Sequence, residues 1–104
     1  MPRFLYVYHG GKAPDSDDEA QAVMAAWSKW MGDNGASLVE PGNPVGQSKT
    51  VSAGGVAGDG GANPASGYTI IEAADLDAAC AIAMSNPMVV DGSGSVEVAE
   101  IIQM

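Results

Sequence analysis

The chain has a single cysteine, a single histidine and only four basic residues among its 104. One cysteine, Cys80, closes no internal disulfide, and its place within an apolar helical pattern predicts a buried free thiol in a reducing compartment. One histidine and no clustered thiols provide no zinc-ligand set, so no metal site is expected. Four basic residues against thirteen acidic ones leave a net charge of −9. That balance repels phosphate backbones and anionic lipid, which disfavours nucleic-acid and membrane-surface roles. No apolar run approaches the about 18 residues a membrane span needs. The start, Met1-Pro2-Arg3 followed at once by a strand-like run, has no secretory signature. A cytoplasmic protein is the expectation. At this length the sequence predicts one domain over residues 1–104, burying about 60–70% of its unfolded surface.

What is present is a regular alternation of elements. Phe4-Leu-Tyr-Val-Tyr-His9 is aromatic and β-branched on both faces and ends at Gly10-Gly11, as a central strand does. Ser16-Asp-Asp-Glu19 has the capping-box form, and Asp17 and Asp18 suit the positive end of a helix dipole. Ala20, Val23, Met24, Trp27, Trp30 and Met31 then lay an apolar stripe along one helical face, up to Gly32 and Asn34-Gly35. Leu38-Val39-Glu40 opens a second strand, bent at Pro41 and Pro44 and resumed near Val45 to Val51; its prolines make it an edge strand or two short pieces. Ala53 to Gly67 is rich in glycine, and Asp59-Gly60 marks a tight turn in a hairpin connection. A third strand covers Tyr68 to Ala73. A helix follows, capped by Asp75, with Leu76, Ala79, Cys80, Ala83 and Met84 as its apolar face and a stop at Asn86-Pro87. Met88 to Val90 is read as a connection, and a last strand runs from Ser95 to Gln103.

The order is β-α-β-β-α-β, the ferredoxin-like arrangement of the α+β class. Right-handed crossovers place both helices on one face of a four-stranded antiparallel sheet, with the first and third strands central. The other face then carries aromatic and β-branched side chains with no cover from the same chain. Such a patch marks an interface, so a homodimer stacked sheet to sheet is expected, each copy burying at least ~800 Å².

Taken in order, Tyr6-Val-Tyr8, the Ser16 to Trp30 helix, Gly42-Asn-Pro-Val-Gly46, Gly67-Tyr-Thr-Ile-Ile-Glu-Ala-Ala-Asp-Leu-Asp-Ala-Ala79, Asn86-Pro87 and Gly94-Ser-Val-Glu-Val98 resemble the YCII-related (DGPF-domain, YciI-like) family over nearly the whole chain. The resemblance implies a dimeric α+β barrel of ferredoxin-like protomers. It implies little about reaction; dimeric α+β barrels include oxygenases, isomerases and chlorophenol-degrading dehydrochlorinases, so catalysis enters by fold analogy alone. YciI-like members are expected to carry a histidine in the first helix and an aspartate before the second-helix proline as a catalytic dyad. Here Met24 and Asn86 stand at those positions, so the dyad is not carried over.

His9, a side chain that exchanges protons near neutral pH, ends the first strand beside a glycine pair and is the candidate base or ligand anchor; the alternative is a strand-end histidine bonded to backbone. Tyr6, Met24, Trp27 and Tyr68 are candidate pocket walls, although tryptophans on an apolar stripe, as Trp27 and Trp30 are, more often belong to the core. Asp91 to Glu97 lacks calcium-loop spacing, and Gly54 to Gly61 lacks the lysine and following helix of a phosphate loop. No cofactor is called for. Two functions remain: a small-molecule-binding or catalytic homodimer with a pocket near the first strand and helix, or a non-catalytic structural or regulatory dimer whose acidic surface meets a basic protein partner. A cavity containing His9 would favour the first.

Overall fold

All 104 residues are described by a computed structural model. The strand β1 (Arg3–Gly10) is followed by α1 (Asp17–Asp33), β2 (Leu38–Glu40), a small hairpin of β3 (Thr50–Ser52) and β4 (Gly55–Ala57), β5 (Ala65–Glu72), α2 (Leu76–Ala83), the single turn α3 (Pro87–Val90) and β6 (Gly94–Glu100). The main sheet has the order β2-β5-β1-β6 with every pairing antiparallel. The βαββαβ frame and its two central strands are those expected from the sequence, with the β3–β4 hairpin inserted and α3 added.

Strand alternation decides what is inside. Phe4, Tyr6 and Tyr8 of β1 and Gly67, Thr69 and Ile71 of β5 point to the helix side and are buried, while the residues between them are half-buried. Trp30 of α1 and Ala79 and Ala83 of α2 close over them. Both helices therefore cover one face, and alanines at the α2 contact let its backbone lie close on the sheet. The other face carries Leu5 and Val7 of β1, Tyr68 and Ile70 of β5 and Ala99 of β6, aligned across the ladder by the pairs Leu5–Ile70, Val7–Tyr68 and Leu5–Ala99.

The caps form as the sequence dictates, with one adjustment. The Ser16 hydroxyl accepts the Glu19 amide at 3.1 Å, but the Glu19 carboxylate reaches the Asp15 amide at 3.2 Å, one residue before the expected Ser16. Asp75 accepts the Ala78 amide at 2.8 Å. Asn86-Pro87 ends α2 and also starts another helical turn. Asn86 accepts the Met88 amide at 3.0 Å with Pro87 in the first helical position, where its missing N–H costs nothing. Met88 to Val90 is thus helical and not a plain connection.

The apolar stripe of α1 is narrower than expected. Trp30 is buried and Trp27, Val23 and Met31 are half-buried, but Met24 is 70% exposed. Six residues at about 100° each put Met24 about 120° around the helix from Trp30, beyond the strip the sheet covers. In α2 the same geometry leaves Leu76, Cys80 and Met84 on the outside. The expected buried thiol at Cys80 is therefore an exposed one, because Ala79 and Ala83 take the sheet contact.

The second strand does not resume after its prolines. It stops at Glu40 and continues as one isolated bridge, Pro44–Gly67. The chain then leaves the sheet as the separate β3–β4 hairpin, whose two-residue turn is Ala53-Gly54, while Asp59-Gly60 forms a side-chain turn in which the Asp59 carboxylate accepts the Gly61 amide.

Candidate functional site

A cavity of about 740 Å³ opens between α1 and the ends of β1 and β5 on the helix side of the sheet. Its inner wall is Tyr8 and Thr69, its roof Val23, Trp27 and Met31, and its far side Met88. Asp91, Ser93 and the stretch Gly10 to Ala13 border it, with Pro41 to Val45 opposite. The size falls within the range of small-molecule sites, and the mixture of rings, thioethers and a few polar groups is typical of them.

Glycines make the space. Gly42 has φ +75, and a Cβ there would lie 1.8 Å from the Tyr68 carbonyl oxygen. Only glycine lets the chain turn so close to β5 at that point. A Cβ at Gly67 would come within 3.2 Å of the Tyr8 ring.

The inner wall is a directional hydrogen-bond chain. The Thr69 hydroxyl donates to the Pro41 carbonyl at 2.9 Å, which leaves its oxygen to accept from the Tyr8 hydroxyl at 2.8 Å. The Tyr8 oxygen in turn accepts from the Asn86 amide at 3.4 Å. Asn86 and Thr69 are buried, and every buried side-chain polar atom has a partner, as buried polar networks require. Burial pushes the Tyr8 pKa up, outweighing its bonds with Thr69 and Asn86. At neutral pH Tyr8 is therefore a neutral phenol whose O–H is already engaged as donor to Thr69. It holds the wall in place and is not poised as an acid or base.

Above it, the Tyr8 and Trp27 rings meet edge to face with centroids 5.3 Å apart, and Trp27 stands edge-on to Trp30 at 5.9 Å. Trp30 is anchored by donation of its indole N–H to Ser85 at 3.1 Å, so the aromatic column has little freedom to repack. At the border, hydrogen bonds from the Ser93 hydroxyl and amide hold the Asp91 carboxyl below the usual carboxylate range, with the Lys12 charge adding to them. Lys12 also approaches Asp15 at 3.4 Å.

No protein-family model matches the chain, and no curated protein matches it in sequence. Among solved structures, it is similar to the 5-chloro-2-hydroxyhydroquinone dehydrochlorinase of Burkholderia phenoliruptrix AC1100, solved in complex with 2,5-dihydroxybenzoquinone. The match has a TM-score of 0.57 and 16% identity, and covers 96% of this chain and 95% of that one. The two share a fold. At that identity nothing about chemistry passes between them.

Of the residues singled out in the sequence, Trp27 and Tyr68 border this cavity and Tyr6, Met24 and His9 do not. Tyr6 is fully buried beneath α2, where its hydroxyl donates to the Ala79 carbonyl; burial raises its pKa strongly. It is a core residue two positions too deep along β1 to reach the cavity. Met24 faces outward for the helical reason given above. Tyr68 borders the cavity, but its place in the strand alternation turns its ring to the open face, where its hydroxyl lies 3.4 Å from Glu40.

His9 is the plainest correction. Strand geometry sends it to the face opposite Tyr8. There Nε2 meets Glu97 at 2.9 Å and Nδ1 meets the Pro64 carbonyl at 3.3 Å. Both ring nitrogens are engaged, and the Glu97 hydrogen bond raises its pKa above 6.5. The cavity exists, and the only histidine is outside it. The residues of the hydrogen-bond chain that backs the wall, Tyr8, Thr69 and Asn86, come from three elements; Asn86 is signalled in sequence by its place before Pro87 and by its match to the aspartate position of the family it resembles.

Proposed function

We propose that this protein is a homodimer, joined through the open sheet faces, in which each protomer binds a small, largely apolar molecule in the cavity under Trp27. The observation that carries the reading is the cavity itself: about 740 Å³, walled by aromatic rings that a hydrogen-bonded chain and an anchored indole hold in position. Such preorganisation lowers the entropy cost of binding. A protein of the same fold solved with a small quinone is in keeping with this. Acid–base catalysis by a cavity residue has less support, because the histidine lies elsewhere and the Tyr8 proton is committed. The reading is therefore a binding site first.

Association is supported by how little one copy buries. Only 11 of 104 residues are buried, and the row Leu5, Val7, Tyr68, Ile70 and Ala99 lies on a face with no helix over it. We assign the chain, on the ordered motifs quoted above, to a single YCII-related domain over residues 1–104 of a cytoplasmic protein. No helix is long and apolar enough to cross a membrane.

A thermal-shift screen of metabolites, read also by tryptophan fluorescence, tests the site. A ligand at one hundred times its Kd stabilises the native state by about 2.7 kcal/mol, and Trp27→Ala should abolish that shift. If no compound moves either signal, or if Trp27→Ala leaves the shift intact, the cavity is not the site. The net charge of −9 supports a second reading, a regulatory module contacting a basic protein; recovery of no partner above background in a pull-down rejects it.

A further inference from the structure

The hairpin of β3 and β4 is open to solvent along its whole length. Every residue from Lys49 to Asp59 is exposed. Val51 and Val56 face each other across the ladder, 75% and 64% exposed. A two-stranded ladder with both faces in water is marginal at best, and an apolar cross-strand pair at its centre gains nothing by pointing into solvent.

The hairpin's root, by contrast, is firmly held. Val45 donates its amide to the Ser66 carbonyl at 3.0 Å and Tyr68 donates to the Asn43 carbonyl at 3.2 Å, while the Thr50 hydroxyl closes the base of the arm on the Asp59 carbonyl at 2.9 Å. The direction of the arm is thus set by the body. It extends within the plane of the slab: the molecule measures 44 × 41 × 19 Å, and a sheet and a helix layer about 10 Å apart already account for the thin dimension. The radius of gyration is 14.9 Å, against about 13 Å for a compact chain of this length.

Charge says what the arm can touch. No acidic residue occurs from Pro41 to Gly58, while Lys49 lies within that stretch. The rest of the chain carries all thirteen acidic residues and three of the four basic ones, so its charge is 3 − 13 = −10. The arm is the part of this molecule that approaches another copy without adding like-charge repulsion.

We propose that the β3–β4 arm clasps a second copy of this chain, laying the Val51–Val56 pair on it and bringing Lys49 against its acidic surface. The proposal rests on the reading that two copies associate through their open sheets, and adds a second contact beyond the sheet edge.

The test uses Val51→Thr/Val56→Thr, which keeps the β-branched shape and removes the apolar contact. Sedimentation equilibrium should show the dimer Kd raised at least tenfold, with Lys49→Glu raising it as well. Hydrogen exchange of the wild type should show the amides between Thr50 and Ala57 becoming protected as concentration crosses the dimer Kd. A dimer of unchanged Kd in the valine variant, or arm amides that exchange at free-peptide rates in the dimer, overturns the arm and leaves the sheet interface standing. A chain monomeric at every concentration overturns both.

Discussion

Tyr8 and His9 are consecutive, and the period of two in a strand gives them opposite surroundings. Tyr8 enters a closed hydrogen-bond chain on the helix side. Its hydroxyl is both donor, to Thr69, and acceptor, from Asn86. Tyr8→Phe therefore leaves two buried polar groups short of a partner, and should cost about 1–3 kcal/mol in urea unfolding. A cost near zero would mean that water replaces the hydroxyl. His9, on the open face, pairs with Glu97, whose hydrogen bond raises the histidine pKa above 6.5. A raised folded-state pKa stabilises the fold fully below the unfolded value and loses that contribution as pH rises through the folded value. The stability difference between wild type and Glu97→Gln should thus be largest near about pH 6, below the unfolded histidine value, and close as pH rises past the folded pKa. An NMR titration should find the His9 pKa above 6.5 in the wild type and nearer to it in Glu97→Gln. A gap that widens with pH would show that the pair does not form as described.

At the scale of elements, the caps and the strands were legible because their signals are local. Ser16, Asp75 and the alternation in β1 and β5 each specify a nearby hydrogen bond or a face. Burial around a helix is not local. Nothing in the spacing of Met24 or Cys80 tells which edge of an apolar stripe the sheet will cover, so Met24 and Cys80 lie outside while Trp30 and Ala79 lie inside. The site was legible in part: Trp27 stood out by residue type, but Asn86 matters because it joins the end of α2, the start of α3 and the Tyr8 hydroxyl. Asn86→Asp keeps the acceptor for the Met88 amide and loses the donor toward Tyr8, at a fully buried position. Burial raises a carboxyl pKa, so the variant should be destabilised at pH 7 and recover as pH falls, when the protonated acid can donate again. A deficit independent of pH would sink this account. Gly42 offers a purely steric test. Its positive φ and the Tyr68 carbonyl 1.8 Å from its missing Cβ predict that Gly42→Ala loses at least ~2 kcal/mol, whereas Gly46→Ala, with nothing within 4 Å, stays within ~0.5 kcal/mol.

For the whole molecule, the two-layer slab follows from the element order, and the open face from having α1 and α2 on one side of four strands. The inserted arm was hidden because prolines and glycines between Glu40 and Ala65 report only where a regular strand cannot continue, not where the chain goes next. Two copies brought together carry −9 each, and in the proposed dimer the row Leu5, Val7, Tyr68, Ile70 and Ala99 would set apolar contact against that repulsion. Apolar association does not weaken as simple salt is added, whereas like-charge repulsion is screened. Between about 20 and 300 mM salt the Debye length shrinks from roughly 20 Å to roughly 6 Å, so long-range repulsion between the two bodies largely disappears while contacts within the interface persist. Dimerisation should accordingly tighten as sodium chloride rises over that range, measured by sedimentation equilibrium at neutral pH. Weakening instead would mean that ion pairs between copies, such as those open to Arg3 or Lys49, dominate the contact, and the apolar row on the open face would then not be what joins them.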